Sequence, residues 1–194
     1  DYFEDLLDRI REIRTSERRY YQKITDIYAE CSSDYDPKSE VTKTFYKTVQ
    51  NMMHYAVSHQ TAAEIVYNRA NAEKPHMGLT TWKNAPDGRV VKSDVTIAKN
   101  YLSEKEIESL NLLTTAFLDM AEDRARRHII MKMTDWKTLL ERYLQISNRD
   151  ILPDAGSVSH EEAEAKALGE YEKFWRIQDK TILSDFDRFI EDLK

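Results

Sequence analysis

Three times in this chain a serine or threonine stands three residues ahead of a glutamate at the head of an apolar stripe: Thr61-Ala62-Ala63-Glu64, Ser103-Glu104-Lys105-Glu106 and Ser159-His160-Glu161-Glu162. In such a box the hydroxyl and the carboxylate each satisfy a backbone amide that a helix start leaves without a partner, so the pattern marks helix N-termini. Elsewhere, too, apolar residues recur at three- and four-residue steps, the spacing of one helix face. Only four Gly and four Pro occur in 194 residues, too few for the frequent reversals of barrels and sandwiches. The pattern predicts an all-α fold: a multi-helix bundle in one domain, residues 1–194, with long first and last helices and one long irregular loop.

The first helix carries Phe3, Leu6, Leu7, Ile10, Ile13, Tyr20, Ile24 and Ile27. Arg14 and Glu17, one turn apart, interrupt that stripe; an ion pair in the core accounts for them, and a polar pocket between helices is the alternative. The stripe opens with neither a cap nor an initiator Met, so we expect a domain cut from a longer protein. After a turn at Ser32 to Pro37, a second helix is expected from about Val41 to Tyr55, burying Phe45, Val49, Met52 and Met53. The third starts at Thr61 with Ala62, Ile65, Val66 and Ala70 inward and ends at Pro75. Residues 75–93 form the irregular stretch, with a short strand expected at Arg89 to Val91. A short helix follows from Asp94 to Tyr101. Later helices carry Leu110, Leu113, Phe117 and Leu118, then Trp136, Leu139, Leu140, Tyr143 and Leu144 behind a cap at Thr134. The last carries Tyr171, Phe174, Trp175, Ile182, Phe186, Phe189 and Ile190.

Several chemistries are excluded by what the chain lacks. No apolar run approaches the ~20 residues that span a bilayer, and no membrane partner is expected. A single cysteine, Cys31, allows no internal disulfide, and a cytoplasmic location is the expectation. No Gly-rich phosphate loop and no Gly-x-Ser-x-Gly elbow is present. The five histidines (His54, His59, His76, His128, His160) never take the spacing that puts two ligands on one helix face, and Pro75 breaks the Glu73-to-His76 imitation of such a pair. No cofactor is expected, and a divalent metal enters only if the domain is an enzyme.

Charge is distributed unevenly. The net charge is -6, yet residues 41–100 carry 8 basic and 4 acidic side chains. Local charge rather than the total decides whether a polyanion binds. Arg69, Lys74, Lys83, Arg89, Lys92 and Lys99 can face phosphates, with Trp82 either stacking on a base or anchoring the loop to the bundle. His59, ahead of the third helix, is a candidate general base, oriented by Glu64 or Asp94; the plainer account makes it a loop residue and Glu64 a cap. Arg124, Arg126 and Arg127 sit where a helix C-terminus favours cations, a structural role.

Five blocks carry a family resemblance. They are Arg11-Glu12-Ile13-Arg14 with Ser16-Glu17-Arg18-Arg19-Tyr20-Tyr21-Gln22-Lys23-Ile24; His59-Gln60-Thr61-Ala62-Ala63-Glu64; Ala72-Glu73-Lys74-Pro75 with Met77-Gly78-Leu79-Thr80-Thr81-Trp82-Lys83; Ser93-Asp94-Val95-Thr96-Ile97-Ala98-Lys99-Asn100-Tyr101-Leu102; and Ser184-Asp185-Phe186-Asp187. Together they resemble the RhuM family of bacterial virulence-associated proteins across nearly the whole chain. The resemblance implies the C-terminal part of a longer protein, preceded by a segment similar to a small DNA-binding module. A Fic-type loop, with its His-Pro-Phe and Gly-Asn-Gly-Arg, has no counterpart here.

Three functions follow as expectations. One is a non-catalytic module engaging DNA or RNA through Arg69, Lys74, Trp82, Lys83, Arg89, Lys92 and Lys99. Another is a nuclease-like enzyme that processes nucleic acid or nucleotides using His59, Glu64 and Asp94. A third is a protein-interaction domain that forms a homo-oligomer through the long first and last helices.

Overall fold

A computed structural model describes residues 1–15, 32–181 and 189–190. Glu17 and the side chain of Arg14 lie outside the described residues, as do Tyr20, Ile24, Ile27, Ile182 and Phe186. Six α-helices are present among the described residues: α1 (Tyr2–Thr15), α2 (Glu40–Ser58), α3 (Ala62–Arg69), α4 (Glu104–Arg126), α5 (Met133–Ile146) and α6 (His160–Thr181). Extended pairing among these residues is limited to one isolated bridge, Ser32 with Met131. The fold is all-α. Where the sequence suggests one domain, residue contacts gather in two compact units, 1–61 with 103–155 and 62–102 with 156–194.

The first unit is helix on helix. α1 packs on α4, and α2 packs on α4 and α5. Leu6 and Ile10 of α1, Val49, Met52 and Met53 of α2, Leu110, Leu113, Phe117 and Leu118 of α4, and Trp136, Leu140 and Leu144 of α5 are buried. These are the periodic apolar positions, and burying them is what stabilises the helices. The Ser103 box closes as expected: Ser103 N–H donates to Glu106 at 2.8 Å and Glu106 N–H to Ser103 Oγ at 3.3 Å.

Two helix ends differ from expectation. Ser39 caps α2 by accepting from Thr42 N–H, and the helix runs on to Ser58, where His59 adopts a left-handed φ of 58° and closes it by donating to Tyr55 O. α5 begins at Met133 rather than behind Thr134. Asp135 accepts from Lys132 N–H at 2.8 Å, and Asp34, distant in sequence, accepts from Met133 N–H at 3.0 Å. A carboxylate from another segment thus satisfies an amide at the helix start. Near the end of α4, Arg126 and Arg127 pair with Glu122 and Asp123, one turn back along the helix.

In the second unit α3 packs on α6 and on a 3₁₀ turn at Ala98–Tyr101, while α6 also packs on a turn at Pro75–Gly78. The Ser159 box opens α6, with Ser159 N–H on Glu162 at 2.8 Å and Glu162 N–H on Ser159 Oγ at 3.1 Å. The Ser159 backbone N–H, assisted by the Ser159 hydroxyl, holds the Glu162 carboxyl below its ordinary range. Ala163, Ala167, Phe174 and Gln178 form the buried stripe of α6, whereas Trp175 is exposed.

Candidate nucleic-acid interface

α3 stops at Arg69, short of Pro75. Lys166 of α6 donates to Tyr67 O at 2.9 Å and Ala70 O at 3.0 Å, meeting carbonyls at the helix end, where cations are favoured. Its ammonium also lies 5.3 Å from the centroid of the Tyr67 ring. From there to Leu102 the backbone is irregular and is held by side chains. Glu170 accepts from Ala72 N–H at 2.8 Å, and that bond, assisted by Lys173 and Lys166 against the opposing effect of burial, holds its carboxyl below the ordinary range. Thr80 donates to Asn100 O and Leu102 O. Arg69 donates to Tyr101 O at 2.9 Å.

The strand expected at Arg89 to Val91 does not form. Its pairing groups are taken instead by an amide side chain: Val90 N–H donates to Gln178 Oε1 at 2.9 Å and Gln178 Nε2 donates to Val90 O at 3.1 Å. Both residues are buried, so satisfying these groups is obligatory.

The helix expected from Asp94 to Tyr101 is likewise replaced, here by 3₁₀ turns at Lys92–Asp94 and Ala98–Tyr101. Side chains intercept the carbonyls an α-helix would use. Asn100 Nδ2 donates to Asp94 O at 2.9 Å and Tyr101 OH to Val95 O at 2.6 Å. Burial, with Asp94 nearby, pushes the Tyr101 phenol far above its ordinary range. Burial and Asp94 also raise that of Tyr171, against an opposing effect from Arg89.

Asp94 is the centre of this arrangement. Its carboxylate is buried and accepts from Lys83 N–H at 3.0 Å and from Val91 N–H at 2.8 Å. One side chain therefore draws together the backbone at Lys83 and the backbone beside Lys92. Among the described residues, Lys74, Lys83 and Lys92 are exposed, and no carboxylate or carbonyl engages their ammonium groups. The other cations are occupied to differing degrees: Arg69 serves Tyr101 O, Arg89 pairs with Asp179 at 2.6 Å, and Lys99 is half-buried.

Trp82 takes the anchoring role of its two readings. It is 9% exposed and its indole N–H donates to Gly88 O at 2.8 Å. His76 stacks on the indole at 4.2 Å between ring centroids. Nothing in the spacing foretold that contact, and His76 is the one residue that the block from Ala72 to Lys83 leaves out.

Of the candidate catalytic residues, His59 lies in the first unit and Glu64 and Asp94 in the second. His59 Nδ1 is 2.9 Å from Asp150 Oδ2, with both side chains exposed. Glu64 Oε1 accepts from Ser157 N–H at 2.7 Å and Ser157 Oγ at 3.0 Å. Asp94 spends both oxygens on backbone N–H groups. Asp150, the carboxylate actually beside His59, carried no sequence signal, since its loop lies some ninety residues further along the chain. Among the described residues no three His, Cys, Asp or Glu side chains gather as a metal site, and no helix is long and apolar enough to cross a membrane.

The five blocks bear on identity once the fold is known, because three of them build the 62–102 part of one unit. The model of the Virulence protein RhuM family matches residues 1–182. The chain belongs to that family. Comparison with curated proteins and with solved structures returns no match.

Proposed function

We propose that this RhuM-family domain is a non-catalytic module that engages the phosphate backbone of a nucleic acid through residues 70–102. The observation that carries this reading is the placement of exposed Lys83 and Lys92 on backbone drawn together by the buried Asp94 carboxylate, with exposed Lys74 in the same stapled segment. A backbone fixed by side-chain bonds presents its lysines without first having to be ordered, which lowers the cost of binding. Each lysine that neutralises a phosphate releases counterions, so binding weakens as salt rises.

The test is anisotropy with labelled single- and double-stranded DNA and RNA. Lys74→Glu with Lys83→Glu is expected to abolish most of the binding at moderate salt. Unchanged binding in that variant overturns the reading.

An enzyme remains the second reading on one observation, the His59–Asp150 contact, in which a carboxylate could orient an imidazole. Denaturing gels with Mg²⁺ or Mn²⁺ separate the two. Cleavage that His59→Ala removes establishes the enzyme, while intact substrate with salt-dependent binding supports the module.

A further inference from the structure

The turn after Lys74 holds three successive residues in the left-handed region, His76 at φ 52°, Met77 at φ 61° and Gly78 at φ 83°. Glycine adopts this region freely, whereas a long apolar residue such as Met77 rarely does. Gly78 is doubly required, because a Cβ there would stand 2.4 Å from the Arg69 carbonyl oxygen. Packing and hydrogen bonds enforce the conformation: Met77 is buried, its N–H donates to Lys74 O, and its carbonyl accepts from Asn71 N–H. The consequence is a sharp division of neighbours. Met77 points into the core, and His76 lies outside it, exposed, on the indole of Trp82 with the two rings 25° apart. The indole beneath is fixed by burial and by its bond to Gly88 O. Strain of this kind persists where the surroundings over-determine it, and it concentrates at binding sites.

We propose that His76, backed by Trp82, is a stacking platform for an unpaired base, so that the domain prefers single-stranded nucleic acid to duplex. The inference rests on reading 70–102 as a nucleic-acid interface and names the substrate class of that interface. One imidazole face is covered by the indole, and the other is left for a ligand ring. Lys74 precedes the platform by two residues and Lys83 follows Trp82 directly, so phosphate-binding cations flank it along the chain. An aromatic face with flanking lysines is the combination that holds a single strand, since every base offers a π-face. In a duplex those faces are closed by stacked neighbours, and only extruded or unpaired bases can reach a ring.

The experiment measures affinity for a single-stranded oligonucleotide and for its duplex, across a salt series, in the wild type, His76→Asn and His76→Tyr. Asparagine tolerates left-handed backbone and removes the ring. Tyrosine keeps a ring at the same position. We expect the wild type to prefer the single strand, His76→Asn to lose about ten-fold for the single strand with little change for duplex, and His76→Tyr to retain the preference. A 2-aminopurine base placed in the strand should lose its stacking-dependent fluorescence change in His76→Asn alone. Salt-dependent binding that His76→Asn leaves intact overturns the platform while sparing the cationic interface. An absence of binding by the wild type to any strand overturns both.

Discussion

The first unit and the 70–102 segment immobilise a backbone by different balances of the same forces. In the first unit, helices satisfy their own backbone groups and need only bury a periodic apolar stripe, as Leu113 and Phe117 do on α4. In the segment, short backbone turns are joined by side chains that satisfy further backbone groups: Asp94 from within it, and Gln178, Glu170 and Lys166 from α6. Apolar burial still contributes there, through Met77, Leu79, Trp82 and Val95, but it does not choose the backbone path. The difference has a functional side. A helix face can present lysines only at the helical repeat, whereas a stapled loop can gather them from residues nine positions apart, as Asp94 does for Lys83 and Lys92.

Substitutions can break this comparison in either direction. The largest effect is expected from Phe117→Ala, which leaves a cavity in the first unit and should cost about 3–5 kcal/mol in urea unfolding. Hydrogen exchange should quicken along α4. Asp94→Asn is expected to cost about 1–3 kcal/mol, because its amide nitrogen must face one of two backbone N–H groups that now point at carboxylate oxygens. That change conserves shape, so a large effect can come only from lost hydrogen bonding. Exchange at Lys83 and Val91 should rise while the α4 amides stay protected. A loop held by apolar contact alone would leave those amides unchanged.

The smallest effect is a pH dependence at Glu170. Its carboxyl is held below the ordinary glutamate range of ~4.3 chiefly by Ala72 N–H. A depressed folded-state value contributes stability that is fully present above ~4.3 and is lost as pH falls through the depressed value. The amide of Ala72 should therefore exchange faster, relative to the intrinsic rate, as acid is added below that point. In Glu170→Gln the acid-dependent part of that change should vanish.

What the amino-acid order revealed follows the same division. Periodicity located the helices of the first unit, and the boxes at Ser103 and Ser159 marked two starts because both partners lie within one turn. Thr134 misled because the helix starts before it, where Asp135 and the distant Asp34 take the amides of Lys132 and Met133. The strand at Arg89 to Val91 was plausible on composition, yet Gln178, almost ninety residues on, supplies the pairing a strand would need. The helix proposed after Asp94 failed for a similar reason, with Asn100 and Tyr101 diverting its carbonyls. The cationic segment was visible as local charge. Its order was not, since the bond that ties Lys83 to Asp94 spans eleven residues, although the one beside Lys92 spans only three. The His76–Trp82 stack was hidden too, because left-handed backbone at His76 and Met77 has no compositional mark beyond the neighbouring Gly78.

The most direct measurement is the salt dependence of single-strand affinity in the wild type and in Lys74→Ala/Lys83→Ala/Lys92→Ala. Each phosphate contact contributes about 0.7 to the slope of log affinity against log salt for single strands. If these lysines hold the backbone, the slope of the triple variant should be shallower by about 2 and its affinity at low salt much reduced. A slope identical to that of the wild type would place the phosphate contacts elsewhere and contradict a nucleic-acid interface on residues 70–102.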